Sequence, residues 1–343
     1  MVHDAVRDID DLEDRLSTPT DGALETMARL DGDLVFLGVA GKMGPTLARM
    51  ARRASDMVGT RRRVVGVARF TDAASEGKLR SHGVETIRCD LLDEDGLSRL
   101  PDTPNVVYMA GRKFGTTGQE AATWAMNAYL PGPVCRRYRA SRIVAFSTGN
   151  VYGPVPVAGG GSRESDVPDP RGEYAMSCLG RERVFEHFGR TFAIPMALIR
   201  LNYATEMRYG VLVDLAGRVR DGLPIDLAVG SFNVIWQGDA NAMTLQAFDH
   251  VATPPWTVNV TGPEALRVRE VAETFGRLLG RPVDFSGEET PLALLSDAGQ
   301  AFRLFGTQRV DADRMIHLIA DWTTRGGPTI HAPTHFEASD GRF

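Results

Sequence analysis

The feature that most restricts how this chain can fold is Gly38-Val39-Ala40-Gly41-Lys42-Met43-Gly44, three glycines spaced GxxGxxG directly after the apolar run Leu34 to Leu37. Four large apolar residues in a row read as a buried strand, and Pro45 to Arg53 carries apolar residues at helical spacing. A strand, a glycine turn and a helix in that order let the backbone reverse with no Cβ in the way, so that N–H groups meet the positive end of the helix dipole. A diphosphate is the ligand that suits such a turn, with Gly38, Gly41, Lys42, Met43 and Gly44 as its expected contacts.

The pattern then repeats. Val64 to Val67, Val84 to Cys89, Asn105 to Met109 and Arg142 to Phe146 read as further strands, with helices at Thr123 to Tyr129 and Tyr174 to Phe188. Strands at Ala197 to Leu201, Asn233 to Gln237 and Thr257 to Val260 continue the series. Alternation of this kind predicts an α/β fold: a Rossmann-type doubly wound parallel sheet with a smaller C-terminal substrate-binding lobe. The expected organisation is a helical arm over 1–30, a dinucleotide-binding domain over 31–200, and a substrate-binding lobe over 201–343 whose 233–255 segment packs back on the first domain. Ser17-Thr18-Pro19-Thr20 supplies a break and a start signal within the arm, which is read as a packing accessory with a dimerisation arm as the alternative. The loop Tyr152 to Gly172 is expected over the cleft, and the closing stretch Trp322 to Phe343, with its tail Thr334-His335-Phe336-Glu337, carries no motif.

At the end of the second strand, where a carboxylate binds the ribose hydroxyls of NAD, the sequence offers Val67-Ala68-Arg69-Phe70. Arg69 suits a 2′-phosphate, and Lys42 is expected as a second cation near the same place, so NADP is favoured over NAD. Asp90, after the third strand, is expected at the adenine edge. A formal charge of -5 gives no basic face for nucleic acid or an anionic membrane, and no apolar run has the length of a membrane span. Three cysteines without metal-ligand spacing and a start lacking a signal peptide suggest no metal and a cytoplasmic setting.

Five further segments stand in a telling order: Val106-Val107-Tyr108-Met109-Ala110-Gly111, Trp124-Ala125-Met126-Asn127, Phe146-Ser147-Thr148-Gly149-Asn150-Val151-Tyr152-Gly153, Tyr174-Ala175-Met176-Ser177 and Trp256-Thr257-Val258-Asn259-Val260-Thr261-Gly262. With the glycine turn, they make the chain resemble the extended short-chain dehydrogenase/reductases, the NAD-dependent epimerase/dehydratase family, from about Leu34 to Phe285. The resemblance implies that Thr148 polarises a substrate oxygen, that Tyr174 is the catalytic acid/base and that Asn127 belongs to a proton relay. It also implies Leu91, Ala110 and Gly111 on the cofactor side, a carbohydrate substrate and a homodimer.

Two departures qualify what the resemblance implies. The family motif Tyr-x-x-x-Lys has Cys178 where its lysine would stand. Without that ammonium Tyr174 titrates near about 10, and phenolate at neutral pH costs roughly 4 kcal/mol. The oxidised nicotinamide, Arg181 on the same helix face and Lys113 after the fourth strand are candidate replacements; by analogy with UDP-galactose epimerase, Lys113 suits the cofactor phosphates better. The second departure is Asn233, which stands where sugar-nucleotide enzymes of the family place an arginine. That favours an undecorated sugar, sugar acid or polyol, with Asn202, Arg208, Asn233 and the face of Trp236 as candidate contacts. The expected activity is that of an oxidoreductase or epimerase on a carbohydrate hydroxyl; a catalytically impaired NADP-binding regulator and a nucleotide-sugar epimerase/dehydratase are the alternatives.

Overall fold

Seven strands pair in parallel into one sheet: β1 (Leu34–Leu37), β2 (Val64–Ala68), β3 (Glu85–Arg88), β4 (Asn105–Tyr108), β5 (Arg142–Thr148), β6 (Met196–Leu201) and β7 (Trp256–Val260). This computed structural model describes residues 5–113, 118–330, 334 and 336. The sheet order is β7-β6-β5-β4-β1-β2-β3. Every residue of β1, β2 and β4 is buried, as a sheet covered on both faces requires. The edge strand β3, Glu85-Thr86-Ile87-Arg88, carries charges at both ends, which discourages pairing with another sheet. The order reverses between β1 and β4, and a crevice opens beyond the carboxyl ends of these two strands.

Helices cover both faces. On one, α2 (Asp21–Arg29) and α3 (Gly44–Met57) bury Met27, Leu47 and Ala51 against Phe36 and Val107. On the other, the long α4 (Gly172–Phe192) packs Phe185 edge-on to Tyr108, ring centroids 5.1 Å apart. The second lobe closes around α5 (Val211–Arg220), α7 (Val268–Leu279) and α8 (Ala312–Thr324). α1 (Ile9–Leu16) joins that lobe through fully buried Leu12 and Leu16, while α2, started by the Thr20 cap, joins the sheet domain. The arm thus ties the two cores together.

Helix α6 (Gln237–Gln246) buries Ala240, Met243 and Leu245 in the sheet-domain core. The strand expected over Asn233 to Gln237 is only Ile235–Trp236, because Gln237 opens α6 and Asn233 turns its side chain to the backbone of Gly262 and Ser296. The loop expected over the cleft pairs Val155–Pro156 with Leu292–Ala293 and bridges Ser162 to Ser296, and its Tyr152 packs with Tyr174 and Leu294.

Candidate active site

The glycine turn is built as its sequence requires. Gly38 has φ +88, and a Cβ there would lie 2.7 Å from the backbone of Ala110; at Gly44 it would lie 2.0 Å from the Val39 carbonyl oxygen, so the turn could not close onto the start of α3. Gly41 differs: a Cβ there would meet only the Gly38 oxygen, at 3.5 Å, and otherwise open space. No side chain caps α3, and Pro45 stands in its first turn, so its leading N–H groups are not consumed by a cap. An open face above Gly41 beside an uncapped helix start fits a diphosphate.

Two hollows share Gly41, Met109 and Gly111 as their common wall. The smaller, about 270 Å³, gathers Gly38, Arg69, Asp90, Leu91 and Ala110. The other, about 310 Å³, gathers Lys42, Met43, Lys113, Thr148, Tyr174, Tyr203 and Tyr209. The two hollows thus flank the turn, one on either side of this shared wall. Arg69 is exposed, and Asp90 uses one carboxylate oxygen to accept the Leu92 amide at 3.1 Å.

Lys42 corrects one expectation. Its side chain crosses to the second lobe, donates to the Ala204 carbonyl at 2.8 Å and sits 3.9 Å above the Tyr209 ring, so it lies at the opposite end from Arg69. Burial, opposed by the charge of Glu206, lowers its ammonium to about 7. Lys113, lowered to about 8 by burial, donates to the Thr334 carbonyl at 3.3 Å, and Asp214 holds the Thr334 amide and hydroxyl at 2.8 and 2.5 Å. The tail therefore meets the cleft at Thr334, with Phe336 buried beside Phe232; His335 and Glu337 lie outside the described residues.

Thr148, the last residue of β5, accepts the Asn150 amide at 3.2 Å, donates to the Asn150 side chain at 3.0 Å and is hydrogen-bonded to Tyr174. Tyr174 is also bonded to the Cys178 thiol one helical turn below. Burial raises the phenol well above its usual value of 10, with Cys178 adding to the rise and the Arg181 charge opposing it. The phenol is therefore harder to ionise than loss of the lysine alone implies. Asn127 lies behind this pair. Its Oδ1 accepts the Arg112 amide at 2.8 Å and Arg181 Nη2 at 2.7 Å, while its Nδ2 donates to the Arg112 carbonyl and Ser177 Oγ at 3.0 and 2.9 Å. These four bonds fill the amide's capacity and leave none for a relay water.

The four candidate substrate contacts are not brought to the cleft wall. Asn202 and Asn233 are buried and bonded to each other at 2.9 Å, because both close the junction between β6 and the second lobe. Trp236 is a core residue of that lobe, 2% exposed. Arg208 is drawn away by Glu206 and by Glu13 of α1, at 3.0 and 3.3 Å. Beside them in the segment, Tyr203, held at φ +48, lines the cleft together with Leu201 and Ala204. Tyr209 and Arg112 also line the cleft, and neither was expected there from the sequence, whereas Arg181, a candidate cation from its helix spacing, is part of the wall.

A profile of the NAD-dependent epimerase/dehydratase family matches residues 34–205, which hold the turn, Thr148 and Tyr174. The chain belongs to the NAD-dependent epimerase/dehydratase family. The fold of this family member is shared by solved structures of low identity. A dTDP-glucose 4,6-dehydratase from Streptomyces venezuelae with NAD and TYD bound superposes with TM-score 0.71 at 18% identity, covering 86% of this chain and 98% of that one. A UDP-glucuronic acid 4-epimerase from Bacillus cereus, in complex with UDP-glucuronic acid and NAD, gives TM-score 0.70 at 17% identity over 85% and 99%. A Thermus thermophilus UDP-glucose 4-epimerase in complex with NAD gives 0.67 at 20% over 86% and 99%. No curated protein matches the sequence. Among the described residues no helix is long and apolar enough to cross a membrane, and no cluster of His, Cys, Asp or Glu could hold a metal ion.

Proposed function

We propose that this family member is a nicotinamide-dependent oxidoreductase or epimerase acting on a hydroxyl of a sugar, sugar acid or related carbohydrate. The observation that carries the reading is the hydrogen-bonded pair Thr148 and Tyr174, standing in the same cleft as an open glycine turn. Bound there, the nicotinamide supplies a hydride acceptor and donor. Thr148 orients the substrate oxygen. Tyr174 takes that oxygen's proton as phenolate when the hydroxyl is oxidised and returns it from the phenol when the carbonyl is reduced; burial, which raises the phenol well above its usual value, favours the protonated, donating form.

An undecorated substrate is favoured because Asn233 is buried and already bonded, so it offers no charge to a nucleotide diphosphate. NADP is favoured by Arg69 alone, since Lys42 points elsewhere; the NAD held by the structural relatives favours the other choice. A homodimer in the cytoplasm belongs to the same proposal. The second reading, an impaired cofactor-binding regulator, is favoured by Cys178 and the high phenol. One experiment separates them: a panel of sugars, sugar acids and their nucleotide derivatives, scored for nicotinamide reduction and for stereochemical change. We expect turnover on a member of the panel and a loss of at least about a hundredfold in Tyr174→Phe. Tight cofactor binding with no turnover on any member would refute the enzyme reading.

A further inference from the structure

The geometry points to Arg181 as the positioning residue that stands in for the missing lysine, stabilising ionised Tyr174 from beneath. This rests on the reading that Tyr174 moves the proton. Tyr174, Cys178 and Arg181 follow one another at i, i+4 and i+7 on α4 and so share a face, and helical side chains lean toward the N-terminus, which carries Arg181 back toward the phenol.

The guanidinium is 6% exposed and fixed on three sides: Nε to the Asn127 carbonyl at 3.3 Å, Nη1 to the Phe146 carbonyl at 3.0 Å, and Nη2 to Asn127 Oδ1 at 2.7 Å. All three acceptors are uncharged oxygens. The neighbouring carboxylate, Glu182, is engaged by Arg200 at 2.7 and 3.0 Å and by Ser147 at 2.5 Å. A guanidinium has five N–H donors, so two remain beyond these bonds, and Arg181 forms part of the cleft wall. A buried cation held by neutral groups is costly on its own, and what offsets the cost is a negative charge that forms beside it.

The surroundings are built for this one side chain. A Cβ at Gly111 would lie 2.6 Å from Arg181 Nη2 and 3.3 Å from Asn127 Oδ1, so the glycine that ends the Ala-Gly segment leaves room for the guanidinium as well as for a cofactor. Asn127, whose four hydrogen bonds are all used, acts by holding Arg181 to the loop after β4. The titratable and charged groups facing the pair are Cys178 and Glu182 from α4, Tyr108 from β4 and Lys113 from the loop beyond it. Arg181, in the cleft wall with Tyr174, is the cation whose charge acts on the phenol, while the charge of Lys113 acts on Cys178.

The test replaces Tyr174 with a fluorinated tyrosine of lower intrinsic pKa and follows its ionisation by fluorine NMR in the full chain, with no substrate or turnover required. Arg181→Met is expected to move the titration alkaline by about tenfold or more in proton affinity. Adding Cys178→Lys to that variant, which restores the family lysine, is expected to bring the titration back. An unmoved titration in folded Arg181→Met, or no recovery on adding Cys178→Lys, would overturn the assignment. Should Arg181→Met fail to fold, Arg181→Lys decides the matter: the charge is kept, so the titration should stay near that of the parent chain, and a tenfold alkaline shift would count against the proposal. Failure here leaves the sugar-panel result untouched, so the two claims fail separately.

Discussion

Single residues carry the chemistry, and the sequence exposed them unevenly. Motif order pointed to Thr148 and Tyr174 as one pair, and the structure brings the two side chains within hydrogen-bonding reach. Lys42 was placed at the wrong end, since spacing gives a residue's position but not which lobe its four-carbon stem crosses to. Tyr203 was passed over in favour of Asn202 because a left-handed backbone, which swaps the residue facing the cleft, leaves little trace in residue type. Lys42 also makes a pH prediction. Its folded pKa, about 7, lies below its unfolded value, so between about pH 7 and 10 the unfolded chain binds more protons and stability rises with pH through this group. Urea midpoints of the parent chain and Lys42→Met, compared at each pH, should therefore move in favour of the parent chain across that window. A constant difference would show that the ammonium is not held down by burial.

At the scale of elements, the strand-turn-helix unit and the parallel strands were legible from apolar runs, because strands covered on both faces contain little else. The segment around Ile235 and Trp236 was not: a short apolar run does not show that a helix begins at Gln237. The three glycines of the turn do separate work, and substitution should separate it. Gly44→Ala places a Cβ 2.0 Å from the Val39 oxygen, forcing the turn open at the start of α3, and should lower stability by about 1–3 kcal/mol in chemical denaturation. Were Gly44→Ala as stable as the parent chain, the close contact of Gly44 with Val39 would not be what that glycine serves.

The molecule as a whole is two cores joined by elements distant in sequence. α1 enters the second core and α2 the first, and α6 returns from the second half of the chain to the sheet domain. Composition and pattern led to the expectation of two lobes, but the route of the tail to Thr334 against Lys113 and Asp214 had no signal, since it depends on side chains brought together only by folding. These elements converge on the cleft, where the proposed function requires the glycine turn to hold a nicotinamide dinucleotide with its redox ring toward Thr148 and Tyr174. Isothermal titration calorimetry with the oxidised and reduced forms of NAD and NADP tests that most directly, on the parent chain and on Gly41→Val, whose side chain would project into the open face without touching the packing beneath. The account predicts saturable binding of at least one coenzyme and its loss in a folded Gly41→Val; no heat of association with any of the four, or equal binding by both proteins, would contradict it.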